Sequence, residues 1–363
     1  MSESGVGGFD YETRATRVVL RAGAARNVAS ELERMGTRRP LVVTTPGRAA
    51  MARDLAASVG SAAEIWAGAR LHVPAAIVEE AAASARRLEA DVLVAIGGGS
   101  AIGVAKAVAL RTDLPILAIP TTYSGSEMTS IWGITEGDEK RTGRDARVAP
   151  CVIVYDPLLT LELDPRTSAE SGMNAIAHSV EALYAQNANP LTSLLAAESI
   201  RMMAGSLRRI VREPQDVEAR TTALLAAHFA GCALDMAAMG LHHRICHVLG
   251  GMFGLPHALT HAIVLPHVVA FNASAAPAAM ATIATGLGES RDRVVAADAA
   301  GALRALNVAL GISRTLEGLG LGDGDIERAA ARVAETGIVH PRPITLDGAR
   351  RILRGALRGN APG

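Results

Sequence analysis

The sequence predicts an α/β domain over residues 1–160, followed by an all-helical domain over residues 161–363. In the first part, short apolar runs without polar alternation are separated by segments of helical periodicity, which is the pattern of parallel strands buried on both faces. After Asp156-Pro157 these runs stop, and alanine-, leucine- and glutamate-rich segments follow helical periodicity instead. The length of 363 residues also favours two domains over a single core.

Four apolar runs are predicted as strands of one open parallel sheet, because strand and helix patterns alternate along this part of the chain. The clearest run leads directly into a glycine-rich segment and then into a helical pattern. The predicted strands are residues 40–45, 91–96, 115–119 and 151–155, and the predicted helices are residues 73–90 and 101–111.

In the second part, pairs that contain proline or glycine are expected to divide the helical pattern into separate helices. A histidine-rich stretch spans the last two of these expected breaks. The breaks are predicted at Asn189-Pro190, Glu213-Pro214, Gly250-Gly251 and Pro266.

The charge balance and the cysteines restrict the classes of partner and the compartment. Lys plus Arg and Asp plus Glu both number 36, and this zero net charge argues against a nucleic-acid or membrane-surface partner. Three cysteines without a CxxC pair are typical of isolated thiols in a reducing compartment. The N-terminal segment has no signal-peptide pattern, and no uninterrupted apolar stretch reaches the roughly 20 residues of a membrane span. We expect a cytoplasmic protein, and its alanine-rich, apolar composition favours a homodimer.

The glycine-rich segment between a predicted strand and a predicted helix is a candidate phosphate site. Glycines let the backbone turn and approach a phosphate closely, and N–H groups at the start of the next helix attract the anion. The dinucleotide fingerprint would need glycine where Ile102 stands, and the P-loop pattern would need a different place for Lys106. A turn without a ligand is the alternative, but the strand–loop–helix context favours phosphate. The candidate residues are Gly97, Gly98, Gly99 and Ser100.

A second candidate segment, residues 120–127, follows the predicted strand 115–119 and is rich in hydroxyl groups. Loops at the carboxyl ends of parallel strands line the ligand crevice of such sheets. Hydroxyl groups can bind a ribose or a phosphate, although a plain surface loop is the alternative. The candidate residues are Thr121, Thr122, Ser124 and Ser126.

The strongest pattern is the concentration of histidines, since six of the ten fall between His242 and His267. His243 and His247 are four residues apart, and so are Asn174 and His178, which places each pair on one helical face. This repetition indicates a functional site. A metal site would need an acid beside the histidines, whereas the candidate acid position holds the neutral Asn174.

At these residues the sequence resembles the iron-dependent alcohol dehydrogenase superfamily, whose fold is shared with dehydroquinate synthase. Within it, the chain most resembles the maleylacetate reductase family, from about residue 14 to residue 355. The resemblance is carried by residues 95–100 with Gly103 and Lys106, by 119–129, 142–145, 174–178, 181–184 and 241–247, and by 255–257 and 265–267.

The resemblance implies a nucleotide-binding α/β domain, a helical catalytic domain, and reduction of maleylacetate to 3-oxoadipate by NADH or NADPH in aromatic-compound catabolism. The related alcohol dehydrogenases would hold their metal at the positions of Asn174, His178, His243 and His257. Because their metal-binding aspartate is Asn174 here, and their aspartate after the glycine loop is Gly103, we expect no metal.

Site roles follow from the same resemblance. His243 is expected to be the main hydrogen-bond donor or general acid, with His178 beside it and His247 toward the nicotinamide. An aspartate at the position of Thr45 marks NAD-preferring relatives, so its absence leaves NADPH open. The residues expected to contact substrate are Asn174, His242, His257, Tyr123 and Arg144.

Substrate identity is less specified than the fold, because three residues near the pocket depart from the maleylacetate reductase pattern. They are Ser124, Ser130 and Leu259, where alanine, proline and glutamate are usual. The alternatives are a metal-dependent alcohol dehydrogenase that accepts Asn174 as a ligand, a lyase of the dehydroquinate synthase kind, a nucleotide-binding relative without activity, and a biosynthetic enzyme that uses the same fold.

Overall fold

A computed structural model describes residues 9, 11–60, 63–137, 139–288 and 298–361. Six strands form a fully parallel sheet in the order β1-β8-β5-β4-β2-β3, and two others form a separate hairpin. The strands are β1 (Arg17–Leu20), β2 (Pro40–Val43), β3 (Glu64–Trp66), β4 (Val92–Gly97), β5 (Ile116–Pro120), β6 (Ile131–Glu136), β7 (Glu139–Arg144) and β8 (Val152–Tyr155).

The central strands are buried on both faces, as their unalternating apolar sequences predict. Every residue of β2, β4, β5 and β8 is buried. Successive side chains point to opposite faces, so Val42 and Val94 pack with helices on one face while Leu41 and Leu93 pack with helices on the other. The helices of this half are α1 (Val28–Met35), α2 (Ala49–Val59), α3 (Ala75–Leu88) and α4 (Gly99–Thr112).

From residue 165 onward the regular elements of the described residues are helices, which confirms the predicted fold class. Side chains of β8, including Ile153 and Tyr155, belong to the same apolar core as these helices, so the helical half packs directly on the sheet. The helices are α5 (Pro165–Leu183), α6 (Pro190–Arg212), α7 (Val217–Met236), α8 (Leu241–Phe253), α9 (His257–Asn272), α10 (Pro277–Gly286), α11 (Asp298–Ala309), α12 (Asp323–Ala334) and α13 (Leu346–Arg358). The last strand of the sheet ends at Tyr155 and α5 begins at Pro165, and a boundary at residue 160 stays a prediction.

Two predicted helix breaks are correct, and two are wrong. Asn189 caps α6 through a capping box with Thr192, and residues 213–214 separate α6 from α7. Gly250-Gly251 does not break α8, which continues to Phe253 and ends at Gly254 in the left-handed conformation. The glycine with a positive φ therefore ends the helix, rather than the glycine pair within it.

Pro266 also lies inside a continuous helix, α9, instead of ending one. Proline has no N–H group, so the carbonyl oxygen four residues earlier loses its helical partner. That oxygen belongs to Ala262, and the side-chain amide of Asn307 in α11 donates to it at 2.7 Å. A neighbouring helix thus supplies the hydrogen bond that the proline removes.

The segment His257–Ala275 is long and apolar enough to cross a membrane, and α7 and α8 would pass the same test together although they meet at 97°. However, 67% of the apolar window in His257–Ala275 is buried inside the protein. Such burial is typical of a core helix.

Candidate active site

The glycine-rich segment connects β4 to α4 at the carboxyl edge of the sheet. Gly97 has a φ of 144°, which favours glycine, and its carbonyl oxygen accepts a hydrogen bond from the N–H group of Thr121 at 3.0 Å. A methyl group on Gly98 would lie 2.9 Å from Cγ2 of Thr122. The loops after β4 and β5 therefore touch, and the first N–H groups of α4 face the edge where both loops end.

The sheet order places this edge at a switch point. From β2 the chain continues to β3 toward one edge of the sheet, and from β4 it continues to β5 toward the other edge, so the strand order reverses between β2 and β4. Ligands of open α/β sheets bind in the crevice at such a reversal. Thr45 follows β2 at this crevice, is half-buried, and precedes a short helix. Arg48, one turn on, forms an ion pair with Glu162 at 3.4 Å.

Lys106 fixes the segment that follows β5. Its buried ammonium group donates hydrogen bonds to the carbonyl oxygens of Ser126, Thr129 and Ile131 at 2.6–3.0 Å. Burial lowers the pKa of Lys106 to about 7, against the opposing effect of Glu127. The hydrogen bonds of Lys106 therefore stabilise this loop inside the protein, and its ammonium group is not placed as a phosphate ligand.

The same loop borders the helix that carries Asn174 and His178. The N–H group of Tyr123 donates to the hydroxyl group of Ser171 at 3.0 Å. Ser171, Asn174 and His178 are spaced three and four residues apart on α5, so they share one face of that helix. The predicted cofactor loop and the histidine site are thereby connected through α5.

Three helices bring the predicted histidines together. His178 comes from α5, His243 and His247 from α8, and His257 from α9. The rings of His178 and His243 are stacked with centroids 4.8 Å apart, and those of His247 and His257 are stacked at 6.2 Å. His243 and His247 lie 6.3 Å apart, which joins the two pairs into one cluster.

The cluster has a buried floor and an exposed mouth. Asn174, His178 and His243 are each 6% exposed, whereas His247 and His257 are exposed to solvent. Burial lowers the pKa of His178 well below its usual range, with neighbouring histidines adding to the effect. Burial likewise lowers the pKa of His242 to about 3. The rings of His178 and His242 are therefore neutral near pH 7.

Two residues of the cluster escaped the sequence prediction. His261 on α9 is fully buried, with its ring 4.4 Å from that of His257 and 4.9 Å from that of His243. Glu181 on α5 is hydrogen-bonded to His243, with 2.6 Å between its Oε2 and Nδ1 of the ring. The spacing of four residues from His257 could have revealed His261. Glu181 follows His178 by three residues, but the sequence does not show that α8 buries it.

The side chains of two predicted substrate residues are held by other groups. The guanidinium of the fully buried Arg220 donates to the hydroxyl group of Tyr123 at 3.0 Å. Arg144 donates to the carbonyl oxygens of Leu234 and Asp235 at 3.2 and 2.7 Å, at the end of α7. Contact of Tyr123 or Arg144 with a substrate stays a prediction.

Comparisons with known proteins agree with this architecture. Residues 15–157 match the model of the family described as "Iron-containing alcohol dehydrogenase", and residues 168–357 match "Fe-containing alcohol dehydrogenase family, C-terminal". The chain is 48% identical to a maleylacetate reductase of Sphingobium indicum and 45% identical to one of Pseudomonas knackmussii, covering 98% of this chain and 99% of each relative. A crystal structure of maleylacetate reductase from Agrobacterium tumefaciens has a TM-score of 0.92 at 39% identity, covering 98% and 100% of the two chains.

These matches confirm the predicted oxidoreductase class, but they correct one expectation. We expected no metal because Asn174 replaces an aspartate, whereas both matched families are iron-containing ones. The residues fit a metal in their chemistry, since imidazole nitrogens suit iron and zinc. Oδ1 of Asn174 is a buried oxygen without a hydrogen-bond partner among the described residues. With His178, His243 and His257 it offers one oxygen and three nitrogen donors.

A second group of atoms that could bind a metal lies beside the first. The nearest nitrogen and sulfur atoms of His242, Cys246 and His261 all lie within 4.8 Å of one another. The two rings are hydrogen-bonded at 2.9 Å between Nε2 of His242 and Nδ1 of His261. Their outer nitrogens, however, have no hydrogen-bond partner in the described part of the chain, whereas a metal-bound histidine normally donates its other N–H group. The two family matches and the full-length similarity to maleylacetate reductases establish that the chain belongs to the iron-containing alcohol dehydrogenase family.

Proposed function

We propose that this protein reduces the conjugated C=C bond of maleylacetate with NADH or NADPH, which yields 3-oxoadipate. The observation that carries the proposal is the union of a glycine-rich cradle and a floor of buried histidines, which are joined through one face of α5. Full-length similarity to proteins named maleylacetate reductase supports the choice of substrate.

The cofactor is proposed to lie along the carboxyl edge of the sheet, at the reversal between β2 and β4. Gly97, Gly98, Gly99 and Ser100 would receive the pyrophosphate at the start of α4, where N–H groups and the helix dipole favour an anion. The hydroxyl groups of the loop after β5 and of Thr45 would bind the ribose and the nearer phosphate oxygens. These contacting residues are Thr121, Thr122, Ser124 and Thr45.

The chemistry requires hydrogen-bond donors rather than a strong base. Hydride from the nicotinamide adds to the carbon β to the ketone, the electrons of the C=C bond move onto the ketone oxygen, and the resulting enolate takes a proton at the α carbon. Loss of one donor to such an oxyanion costs about 2.7–4 kcal/mol in other enzymes. His243, His178 and His247 are proposed as the catalytic residues, with His257 and His261 beside them. Iron, when bound, supplies Lewis-acid polarisation of a carbonyl oxygen.

The substrate carries two carboxylates, so the charge of the floor matters. His178, His242 and His261 are neutral because burial lowers the pKa of each. They therefore place no negative charge beside a dianion. Asn174 is proposed to bind a substrate oxygen or the metal through polar atoms that carry no charge, where an aspartate would repel the substrate.

The compartment, the oligomeric state and the partners of the protein are inferred from its composition. We infer that the protein acts in the cytoplasm on a small molecule in aromatic-compound catabolism, as a homodimer without nucleic-acid or membrane partners. Balanced charge and an apolar, alanine-rich composition support this setting. Oligomeric state is measurable by light scattering of the purified protein.

The test is a stoichiometric assay with maleylacetate, run on iron-reconstituted protein and on chelator-treated protein. We expect one equivalent of NADH or NADPH to be consumed and 3-oxoadipate to accumulate. 3-Oxoadipate itself serves as the control substrate, because it retains the ketone and lacks the C=C bond. Reduction of 3-oxoadipate, or no reduction of maleylacetate in either preparation, would exclude this function and favour a carbonyl-reducing alcohol dehydrogenase.

A further inference from the structure

Glu181 occupies an unusual place behind the histidine floor. It lies on α5, is 1% exposed, and its carboxylate meets the first turn of α8. Oε1 accepts a hydrogen bond from the N–H group of His242 at 2.7 Å, and Oε2 accepts from that of Gly240 at 3.0 Å. Oε2 also lies 2.6 Å from Nδ1 of the His243 ring.

The carboxylate replaces a cap that α8 lacks in its own sequence. The residue before α8 is Gly240, which has no side chain to bind the free N–H groups of the first turn. A methyl group at that position would lie 3.2 Å from Oε1 of Glu181, so the glycine also makes room for the carboxylate. Glu181 thus caps α8 from a different helix.

This arrangement determines which nitrogen of His243 carries the proton. Each oxygen of Glu181 already faces at least one backbone N–H group, so both oxygens must act as acceptors. The ring atom at 2.6 Å from Oε2 must then donate, which places the proton of a neutral His243 on Nδ1. Nε2 of His243 is left with a lone pair that faces the site.

The constraint continues along the floor. Nε2 of His243 lies 2.7 Å from Nδ1 of His178, so His178 must donate from Nδ1 and keep a lone pair on Nε2. That lone pair accepts from the side-chain amide of Asn174 at 3.1 Å. One carboxylate therefore sets the direction of three successive hydrogen bonds, and it keeps the Nε2 lone pairs of both histidines on the side of the site.

We propose that Glu181 is the positioning residue of this active site, and that it holds His243 as the Nδ1-protonated tautomer, with Nε2 as a hydrogen-bond acceptor on the side of the site. The proposal rests on the proposed function for its catalytic consequence. Its structural half concerns only the free protein. Carboxylates that bind the outer nitrogen of a functional histidine fix its ring and tautomer in many enzymes, and their loss typically costs about 10–100-fold.

Glu181→Gln is the informative change, because the amide keeps the size and loses one acceptor. If its NH2 group replaces Oε2, it faces Nδ1 of His243 and forces the proton onto Nε2. If the NH2 group replaces Oε1, it faces the N–H group of His242 instead, and two donors oppose each other. Glu181→Asp retains the charge and both acceptors, so it should retain the native tautomer.

The first readout is the tautomer itself, measured by long-range nitrogen–proton NMR of protein labelled at histidine, with the His243 signals identified from their loss in His243→Gln. We expect Nδ1 protonation in the wild type and in Glu181→Asp, and Nε2 protonation or a mixture in Glu181→Gln. An Nε2-protonated His243 in the wild type would overturn the proposal without any variant.

The second readout is the split between kcat and KM for maleylacetate. We expect kcat of Glu181→Gln to fall about 100-fold with little change in KM, and Glu181→Asp to recover a large part of it. Glu31→Gln is the control, since Glu31 is 6% exposed and pairs with Arg17 away from the site. An unaltered tautomer and kcat in Glu181→Gln would refute the proposal. A wild type that fails to reduce maleylacetate would instead refute only the proposed function, because the NMR result needs no substrate.

Discussion

Replacing Gly98 by alanine tests the proposed phosphate cradle. The added methyl group would lie 2.9 Å from Cγ2 of Thr122 and 3.1 Å from its Oγ1. Ordinary carbon–carbon contacts are about 3.5–4.0 Å, so the two loops must separate by roughly 0.5–1 Å. Thr122 is stiff at χ1 because it is β-branched, and the preceding residue is tied to Gly97 by a 3.0 Å hydrogen bond. Rotation of Thr122 alone therefore cannot relieve the contact without disturbing the cradle.

Overpacking of this size costs about 1–3 kcal/mol. If that cost is imposed mainly on the bound form, the Kd for NADH and NADPH should rise by about 5- to 150-fold, since 1.4 kcal/mol corresponds to a factor of ten. Adding Thr122→Ser removes the methyl group in closest contact. The double variant should therefore bind more tightly than Gly98→Ala alone, which identifies the clash as the cause.

The assay is a calorimetric or fluorescence titration with each cofactor, with circular dichroism to verify folding. Gly205→Ala is the control, because Gly205 lies in α6 and an added methyl group there would meet nothing within 4 Å. Unchanged cofactor affinity in Gly98→Ala would refute the cradle. Equal weakening in the single and double variants would show that Thr122 is not the obstacle.

Three further predictions use single substitutions. Thr45→Asp should weaken NADPH more than NADH, because a carboxylate would face the 2′-phosphate; equal losses in two parallel titrations would exclude this position from ribose recognition. Asn174→Asp should raise the affinity for Fe²⁺ by adding an anionic ligand and should raise KM for the dianionic substrate, and unchanged Fe²⁺ binding by calorimetry would contradict this. His267 is neutral when folded, because burial and then Arg304 lower its pKa to about 4 from 6.5. The unfolded chain takes up a proton at His267 near pH 6.5, whereas the folded protein does so only near pH 4, so the free energy of unfolding falls as the pH drops through this interval. His267→Gln should flatten that decline.

The fold was predictable where burial leaves an unambiguous pattern. The central strands β2, β4, β5 and β8 are entirely buried, and each appears in the sequence as an unbroken apolar run. The edge strands β1 and β3 have only one sheet neighbour each and are partly exposed, so they lack the fully buried pattern of the central strands. The hairpin β6–β7 was missed for a related reason, since it is short, partly exposed and polar along β7.

The candidate site was predictable only in part. Spacing of four residues correctly joined Asn174 to His178 and His243 to His247, because residues four apart share a helical face. Glu181 could not be distinguished from an ordinary surface glutamate, since its burial depends on the approach of α8. Nothing in the sequence indicated that the guanidinium of Arg144 donates to the carbonyl oxygens at the end of α7, and a role of Arg144 in substrate binding stays a prediction.

The exchange of hydrogen bonds around Pro266 has an evolutionary consequence. Asn307 donates to the carbonyl oxygen of Ala262, which is free only because residue 266 has no N–H group. A chain that acquires alanine at position 266 regains the helical bond and no longer needs an amide at position 307. The two positions should therefore change together during divergence, although they are 41 residues apart in the sequence. Helix α9, which carries His257 and His261, therefore receives one of its hydrogen bonds from Asn307 of α11.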